Sequence, residues 1–281
     1  MISPNQLWNS PPGDLELSEN EVHVWRVSLN VPLAVIQNLQ LSLTTDEATK
    51  AKRFHFEKHR NHFIVARGLL RTILSRYLDI DPHQLRFCYN AYGKPSLDLP
   101  YSEKKGPGLY HEADGLALGP GRPQGSPLLY HEARVLNFNL SHSHELALYA
   151  FTYSRQVGID IEYMRANVEY EELAQRFFSP DENAILHALP EAFKQEAFFN
   201  CWTRKEAYIK ARGKGLSIPL ESFDVSLRPG EPAALLNSRE DPQETTRWSL
   251  QELKPGLGYA GALAVEGSGW HLHCWQWHES G

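Results

Sequence analysis

The residues best suited to chemistry fall in three short stretches. In Val157-Gly158-Ile159-Asp160-Ile161-Glu162 the side chains of an extended chain alternate, so Asp160 and Glu162 share one face and Ile159 and Ile161 the other. Two carboxylates so close repel each other. A divalent cation relieves that repulsion, and hard oxygen donors suit Mg²⁺; the plainer alternative is the wet face of an edge strand. In the stretch from Cys201 to Gly215, Trp202, Glu206 and Lys210 follow at i, i+4 and share a helix face. Glu206 can complete a metal site there, with the Lys210 ammonium one turn away for phosphate; an exposed Glu–Lys pair is the simpler reading. Phe138-Asn139-Leu140-Ser141-His142-Ser143 sets a hydroxyl beside an imidazole, able to bind phosphate or act in catalysis. There is no Gly-x-Ser-x-Gly elbow. Adjacent Ser141 and His142 point apart along the chain, which disfavours a nucleophile–base pair and leaves a polar turn as the alternative.

A fourth feature is charge. From Lys50 to Arg76 stand Lys50, Lys52, Arg53, Lys58, Arg60, Arg67, Arg71 and Arg76 against Glu57 alone, in a chain whose formal net charge is -6. This is either a solvated helix face or a site for a polyanion. The acidic total argues against a nucleic-acid partner.

These residues need elements to hold them. Alternation of Trp25, Val27, Leu29 and Val31 predicts a strand over 22–31. Thr44 and Glu47 form a capping box opening a helical region that runs to Tyr77, with Asp81-Pro82 beyond its end. Strands over 135–140 and 146–152 flank a turn at 141–144, and a third covers 157–163. A helical stretch spans 168–178; Ser179-Pro180-Asp181-Glu182 then starts a helix with N-cap, N1 proline and N3 glutamate. After Pro190 a long helix covers 191–212, closed by Gly213. Residues 1–20 read as a loose arm. The stretch 100–134 is rich in Gly and Pro and repeats Leu-Tyr-His-Glu-Ala at 109–113 and 129–133, which reads as a surface insert.

Composition sets outer bounds. With 281 residues, 42% hydrophobic and 22% charged, the chain can bury a sizeable core. No apolar run approaches the roughly 18 residues of a membrane span, and the N-terminus lacks a secretory signal pattern. Cys88, Cys201 and Cys274 lie far apart, against a disulfide framework or structural zinc. The expectation is a cytoplasmic protein.

Taken together, Phe-Asn-Leu-Ser-His-Ser, Gly-Ile-Asp-Ile-Glu and Trp-Thr-Arg-Lys-Glu-Ala-Tyr-Ile-Lys, in this order, resemble the Sfp-type 4′-phosphopantetheinyl transferases, and their wording looks most like cyanobacterial members. Lys-Arg-Phe at 52–54, Ala-Arg-Gly-Leu-Leu-Arg at 66–71, Tyr-Gly-Lys-Pro at 92–95, Gly-Lys-Gly-Leu-Ser at 213–217 and Pro-Leu-Glu-Ser-Phe at 219–223 extend the match. The resemblance implies an α+β fold of two similar α/β halves related by a pseudo-two-fold, with coenzyme A between them. The halves would be 21–153, including the insert, and 154–281, carrying the metal site.

It also implies transfer of 4′-phosphopantetheine from coenzyme A to a serine of an acyl or peptidyl carrier protein, releasing 3′,5′-ADP. Mg²⁺ would lie on Asp160, Glu162 and Glu206. Coenzyme A contacts would fall on Lys50, Lys94, Ser141, His142, Lys205 and Lys210, with Glu206 as base and Lys210 near the pyrophosphate. Glu47 departs from the pattern, standing where some members carry a basic residue. A pair of joined halves supplies a site without a partner, so a monomer is expected. Two other functions compete. A non-catalytic carrier-protein-binding relative predicts loss of a carboxylate, and none is lost. A Mg²⁺-dependent nucleotide hydrolase is weakened by the absence of a Gly-rich P-loop.

Overall fold

The structure is a computed structural model and describes residues 8–98, 135–165 and 168–278; the stretch 100–134, expected as an insert, lies outside them. Alternation builds the first strand, β1 (Glu21–Ser28): Val22 and Val24 face one way, His23, Trp25 and Val27 the other, and all five are buried. The helices α1 (Leu33–Leu41), α2 (Thr45–Lys52) and α3 (Glu57–Leu78) follow. A ribbon of β2 (Phe87–Tyr89) and β3 (Pro95–Leu97) comes next, then a hairpin of β4 (Leu136–Ser143) and β5 (Leu146–Tyr153). The chain then repeats this plan. After β6 (Val157–Tyr163) come α4 (Tyr170–Phe177), α5 (Pro180–Ala188) and α6 (Glu191–Arg212). A ribbon of β7 (Phe223–Val225) and β8 (Leu235–Ser238) precedes the antiparallel pair β9 (Trp248–Leu253) and β10 (Tyr259–Glu266).

The repetition is topological. The long helices α3 and α6 each have 22 residues. The first strand of each repeat pairs antiparallel with its last, giving strand orders β1-β5-β4 and β6-β10-β9. This is the mixed α+β architecture of two similar halves expected from the sequence. The last strand, β11 (His271–Gln276), lies parallel beside β1, so the first sheet draws on both ends of the chain. A boundary at 153/154 therefore separates the repeats but not the sheets.

Three apolar clusters stack the layers. Helices α1 to α3 cover the outer face of the first sheet through Ile64, Leu69, Ile73 and Trp25. On the other side α6 covers the second sheet through Ala207, Ala211, Ala262 and Ala264. Between the sheets, Val22, Val24, Leu148 and Ala150 meet Val157, Ile159, Ile161 and Val265.

Several expectations need correction. The helical region 44–77 is two helices, broken at 53–56, because Glu47 serves both. It completes the capping box of Thr44 at the start of α2. Its carboxylate also grips Arg71 of α3 at 2.8 and 3.0 Å, and Arg67 at 3.2 Å. In one continuous helix residues 47 and 71 would be about 36 Å apart. Helix α1 was not predicted; it starts without a side-chain cap, behind Pro32. The arm is packed from Trp8 onward: its indole donates to Lys254 O at 2.8 Å, and Leu15 and Leu17 are buried. Residues 141–143 belong to β4; the turn is His144-Glu145, with His144 at φ 53°.

One glycine controls the second layer. A Cβ on Gly158 would stand 2.1 Å from Ala207 O and 2.3 Å from Ala211 N, so β6 rests directly on the α6 backbone. The obstacle is backbone and cannot rotate away. Gly158→Ala should cost at least the 1–3 kcal/mol typical of overpacking, read by urea unfolding.

The first layer carries a titratable group in the corresponding place. His23 Nδ1 lies 2.9 Å from Tyr77 Oη, and its ring is packed against His273 and Trp275. Burial pushes its pKa down to about 4; His273 adds to the effect and Glu21 opposes it. In the unfolded chain an ordinary imidazole protonates near 6.5. Below that value the unfolded state therefore binds a proton that the native state refuses. The stability from neutral His23 is complete above pH 6.5 and is lost as pH falls toward 4. At 1.36 kcal/mol per pKa unit, the loss is ~3 kcal/mol. His23→Gln should flatten the stability–pH curve over this interval, relative to wild type, in denaturant titrations at fixed pH.

Candidate functional site

The site grows from the Gly158 contact. Gly158, Asp160 and Glu162 share the strand face that rests on α6. On α6, Ala207 and Ala211 lie beneath Gly158, and the residue before each, Glu206 and Lys210, emerges at the edge of the crossing. The Lys210 ammonium lies 2.6 Å from Asp160 Oδ1. The i, i+2 carboxylates of the strand and the i, i+4 pair of the helix thus meet at one place.

Strand β4 completes it from the first sheet. Its buried Asn139 accepts the Ile159 N–H at 2.9 Å. The Ser141 hydroxyl lies 2.8 Å from Asp160 Oδ1 and accepts from Lys210 Nζ at 3.0 Å. Ser143 Oγ lies 2.7 Å from Glu162 Oε2. His142 points to the opposite face, as adjacent strand residues must. There it lines a cavity of about 440 Å³ with Phe54, Lys58, His62, Phe63 and His144. Phe54 also borders a second cavity, of about 640 Å³, with Lys50 and Arg53. Phe54 thus joins two cavities into a basic, aromatic-lined cleft in which Lys50, Arg53 and Lys58 outnumber Asp46, and which lies along the face of β4 opposite Ser141.

The carboxylates perturb one another. Burial, reinforced by Asp160 and Glu162 and opposed by Lys210, raises Glu206 to about 6. Glu162 is raised by burial and by Asp160, against the Ser143 hydrogen bond. Asp160 Oδ2 is buried without a hydrogen-bond partner. A lone buried carboxylate oxygen beside two more carboxylates has the chemistry of a hard-cation site. As the side chains stand, no three His, Cys, Asp or Glu among the described residues enclose an ion; the positive charge beside Asp160 is Lys210.

Residues 156–265, which span β6 to β10, match the family model described as the 4′-phosphopantetheinyl transferase superfamily. Over 96% of its length the chain is 40% identical to 4′-phosphopantetheinyl transferase HetI of Nostoc sp., covering 98% of that protein. The chain belongs to the 4′-phosphopantetheinyl transferases. It is also 28% identical to 4′-phosphopantetheinyl transferase Sfp of Bacillus subtilis, over 73% of this chain and 76% of that one. The cyanobacterial resemblance of the motifs agrees with the HetI match.

Within this transferase the predicted site residues divide. Asp160, Glu162, Glu206, Lys210 and Ser141 come together, with His142 on the neighbouring face of β4. Lys50 is exposed at the rim of the cleft, its ammonium 5.5 Å from the Phe63 ring. Lys94 reaches across to the second half, donating to Val157 O and Ala211 O, both at 3.1 Å, and burial lowers its pKa to about 8. Lys205 is not brought to the cleft. Its ammonium is fully buried, 2.7 Å from the Glu182 carboxylate, and donates to Leu220 O and Phe223 O. One helical position before Glu206 is enough to turn it inward. Nor is the basic run all polyanion surface, since Arg67 and Arg71 are bound to Glu47. Sequence reasoning missed Asn139 and Ser143, although their period-two spacing with Ser141 was the available signal.

Lys205 therefore makes a sharp test. Removing one partner of a buried ion pair leaves an unpaired charge and costs about 3–5 kcal/mol. Lys205→Met should lose stability on that scale by chemical denaturation. The double variant Lys205→Met/Glu182→Leu should lose less than the sum of the two single changes. A coenzyme A contact would instead give an unchanged midpoint and a raised KM.

Proposed function

We propose that the chain transfers the 4′-phosphopantetheinyl group of coenzyme A to a serine of an acyl or peptidyl carrier protein and releases 3′,5′-ADP. The observation that carries this reading is the meeting of Asp160, Glu162, Glu206 and Lys210 where β6 crosses α6, with β4 carrying Ser141 on that side and His142, which lines the basic cleft, on the other. Coenzyme A carries a pyrophosphate and a 3′-phosphate, which accounts for a cationic cleft in an acidic chain. Lys50, Lys58 and His142 would face the nucleotide end.

Asp160, Glu162 and Glu206 would hold Mg²⁺, which would neutralise pyrophosphate charge as the phosphorus–oxygen bond breaks. The remaining roles fall to the protein. A carboxylate with a pKa near 6 suits a general base at neutral pH. Glu206 takes the proton of the carrier serine as its oxygen bonds to the phosphorus of the pantetheine phosphate. That phosphorus loses its bond to the bridging oxygen, and the electron pair leaves with 3′,5′-ADP. Lys210 meets the charge that develops on the leaving phosphate. Ser141 keeps Lys210 and Asp160 in register.

The hydrolase alternative differs only in the acceptor, water instead of serine. Mass spectrometry of an apo carrier protein incubated with coenzyme A, Mg²⁺ and the protein separates them by the gain of the phosphopantetheine mass. For the chain as a whole we place the reaction in the cytoplasm, by a monomer. The three cysteines are free, and no helix among the described residues is long and apolar enough to cross a membrane.

The role of Glu206 can be isolated. Glu206→Gln keeps size and one oxygen donor but loses basicity. In single-turnover transfer across a Mg²⁺ titration, it should lower the transfer step by about 10²–10⁴-fold, and saturating Mg²⁺ should not restore it. Asp160→Ala should be rescued in part by excess Mg²⁺, because the base survives. Full rescue of Glu206→Gln would make Glu206 a ligand alone.

A further inference from the structure

Ser143 plays no part in the reading above, yet its hydroxyl is fully committed. It accepts the backbone N–H of Tyr163 at 3.1 Å and lies 2.7 Å from Glu162 Oε2. A serine hydroxyl has one proton and two lone pairs. With the N–H occupying a lone pair, the proton is free for the carboxylate, and the shorter bond fixes the rotamer of Glu162. Ser141 repeats the device two residues earlier, taking the Lys210 ammonium on its oxygen and lying at hydrogen-bond distance from Asp160. Two hydroxyls at i, i+2 on β4 thus serve two carboxylates at i, i+2 on β6.

We propose that Ser143 is a positioning residue that holds Glu162 in the orientation needed for metal binding. The inference rests on Glu162 being a metal ligand. Partners of this kind, which orient a ligand without touching the metal, typically account for 10–100-fold in metal affinity. The effect should be confined to the metal, because the Ser143 hydroxyl faces Glu162 while its neighbours His142 and His144 line the cavity.

The test is direct Mn²⁺ binding, followed by electron paramagnetic resonance, to the full-length protein saturated with coenzyme A. Five proteins are compared: wild type, Ser143→Ala, Ser143→Thr, Ser143→Cys and Glu162→Gln. Ser143→Ala should weaken Mn²⁺ about 10–100-fold with the KM for coenzyme A unchanged. Ser143→Thr keeps the hydroxyl and should stay close to wild type. Ser143→Cys, a weaker donor of similar size, should fall between and serves if the alanine variant does not fold. A lower melting temperature in Ser143→Ala with unchanged Mn²⁺ affinity would show a merely structural serine and overturn the proposal. If Glu162→Gln weakens Mn²⁺ and Ser143→Ala does not, the inference fails while the metal reading stands. If Glu162→Gln binds Mn²⁺ like wild type, the metal role of Glu162 fails first.

Discussion

Two sheet edges meet in this molecule, and the way they are joined decides where everything else sits. Strand β4 ends the first sheet and β6 ends the second. They run side by side in the same direction, but side chains of β4 join them. Asn139 takes the Ile159 N–H, Ser143 takes the Tyr163 N–H, and Ser141 lies on Asp160. Exposed edges are a liability, since unpaired N–H and C=O groups invite foreign strands. Here polar side chains, in place of a backbone ladder, satisfy N–H groups of the β6 edge. The same side chains carry the contact onward: Ser141 reaches Asp160 and Lys210, and Ser143 reaches Glu162.

The same constraint explains which parts of the sequence were legible. Long helix α6 announced itself through Pro190, its i, i+4 pattern and Gly213, whose φ of 65° makes the left-handed cap. Strand β6 showed in its alternation, and the metal-type carboxylates in their spacing. The motif around Ser141 misled, because Asn, Ser and His are turn formers by propensity. Here tertiary context overrode propensity: the polar face of β4 is buried against another strand edge rather than facing water. Helix α1 left no signal because it has neither cap nor strong amphipathic pattern, being held by Leu39 against Gly68 of α3.

Lysines show the limit of reading a motif residue by residue. Lys205 and Lys210 are five positions apart on α6, which rotates them by about 140° around the helix axis. That rotation sends Lys210 to Asp160 and Ser141 and Lys205 into the core, where Glu182 had already been fixed by its capping box with Ser179. Glu182 also accepts the Val225 N–H, so one carboxylate ties α5, α6 and β7. The reason for a lysine at 205 is thus the placement of Glu206, the next residue.

Comparison of the two repeats shows what made one of them chemical. In each, the first strand lays one face on a 22-residue helix. In the first repeat that face carries His23 and Trp25, and both bond to the buried Tyr77 hydroxyl of α3. In the second it carries Gly158, Asp160 and Glu162 on Ala207, Ala211 and Lys210 of α6. Large aromatic groups fill the first interface and hold strand and helix apart. Glycine and alanine close the second until the backbones touch, which removes the volume an apolar core would occupy. Polar side chains beside such a contact have nowhere to pack and project past the strand edge. One repeat therefore contributes rigidity and the serine face of β4, and the other contributes the charge.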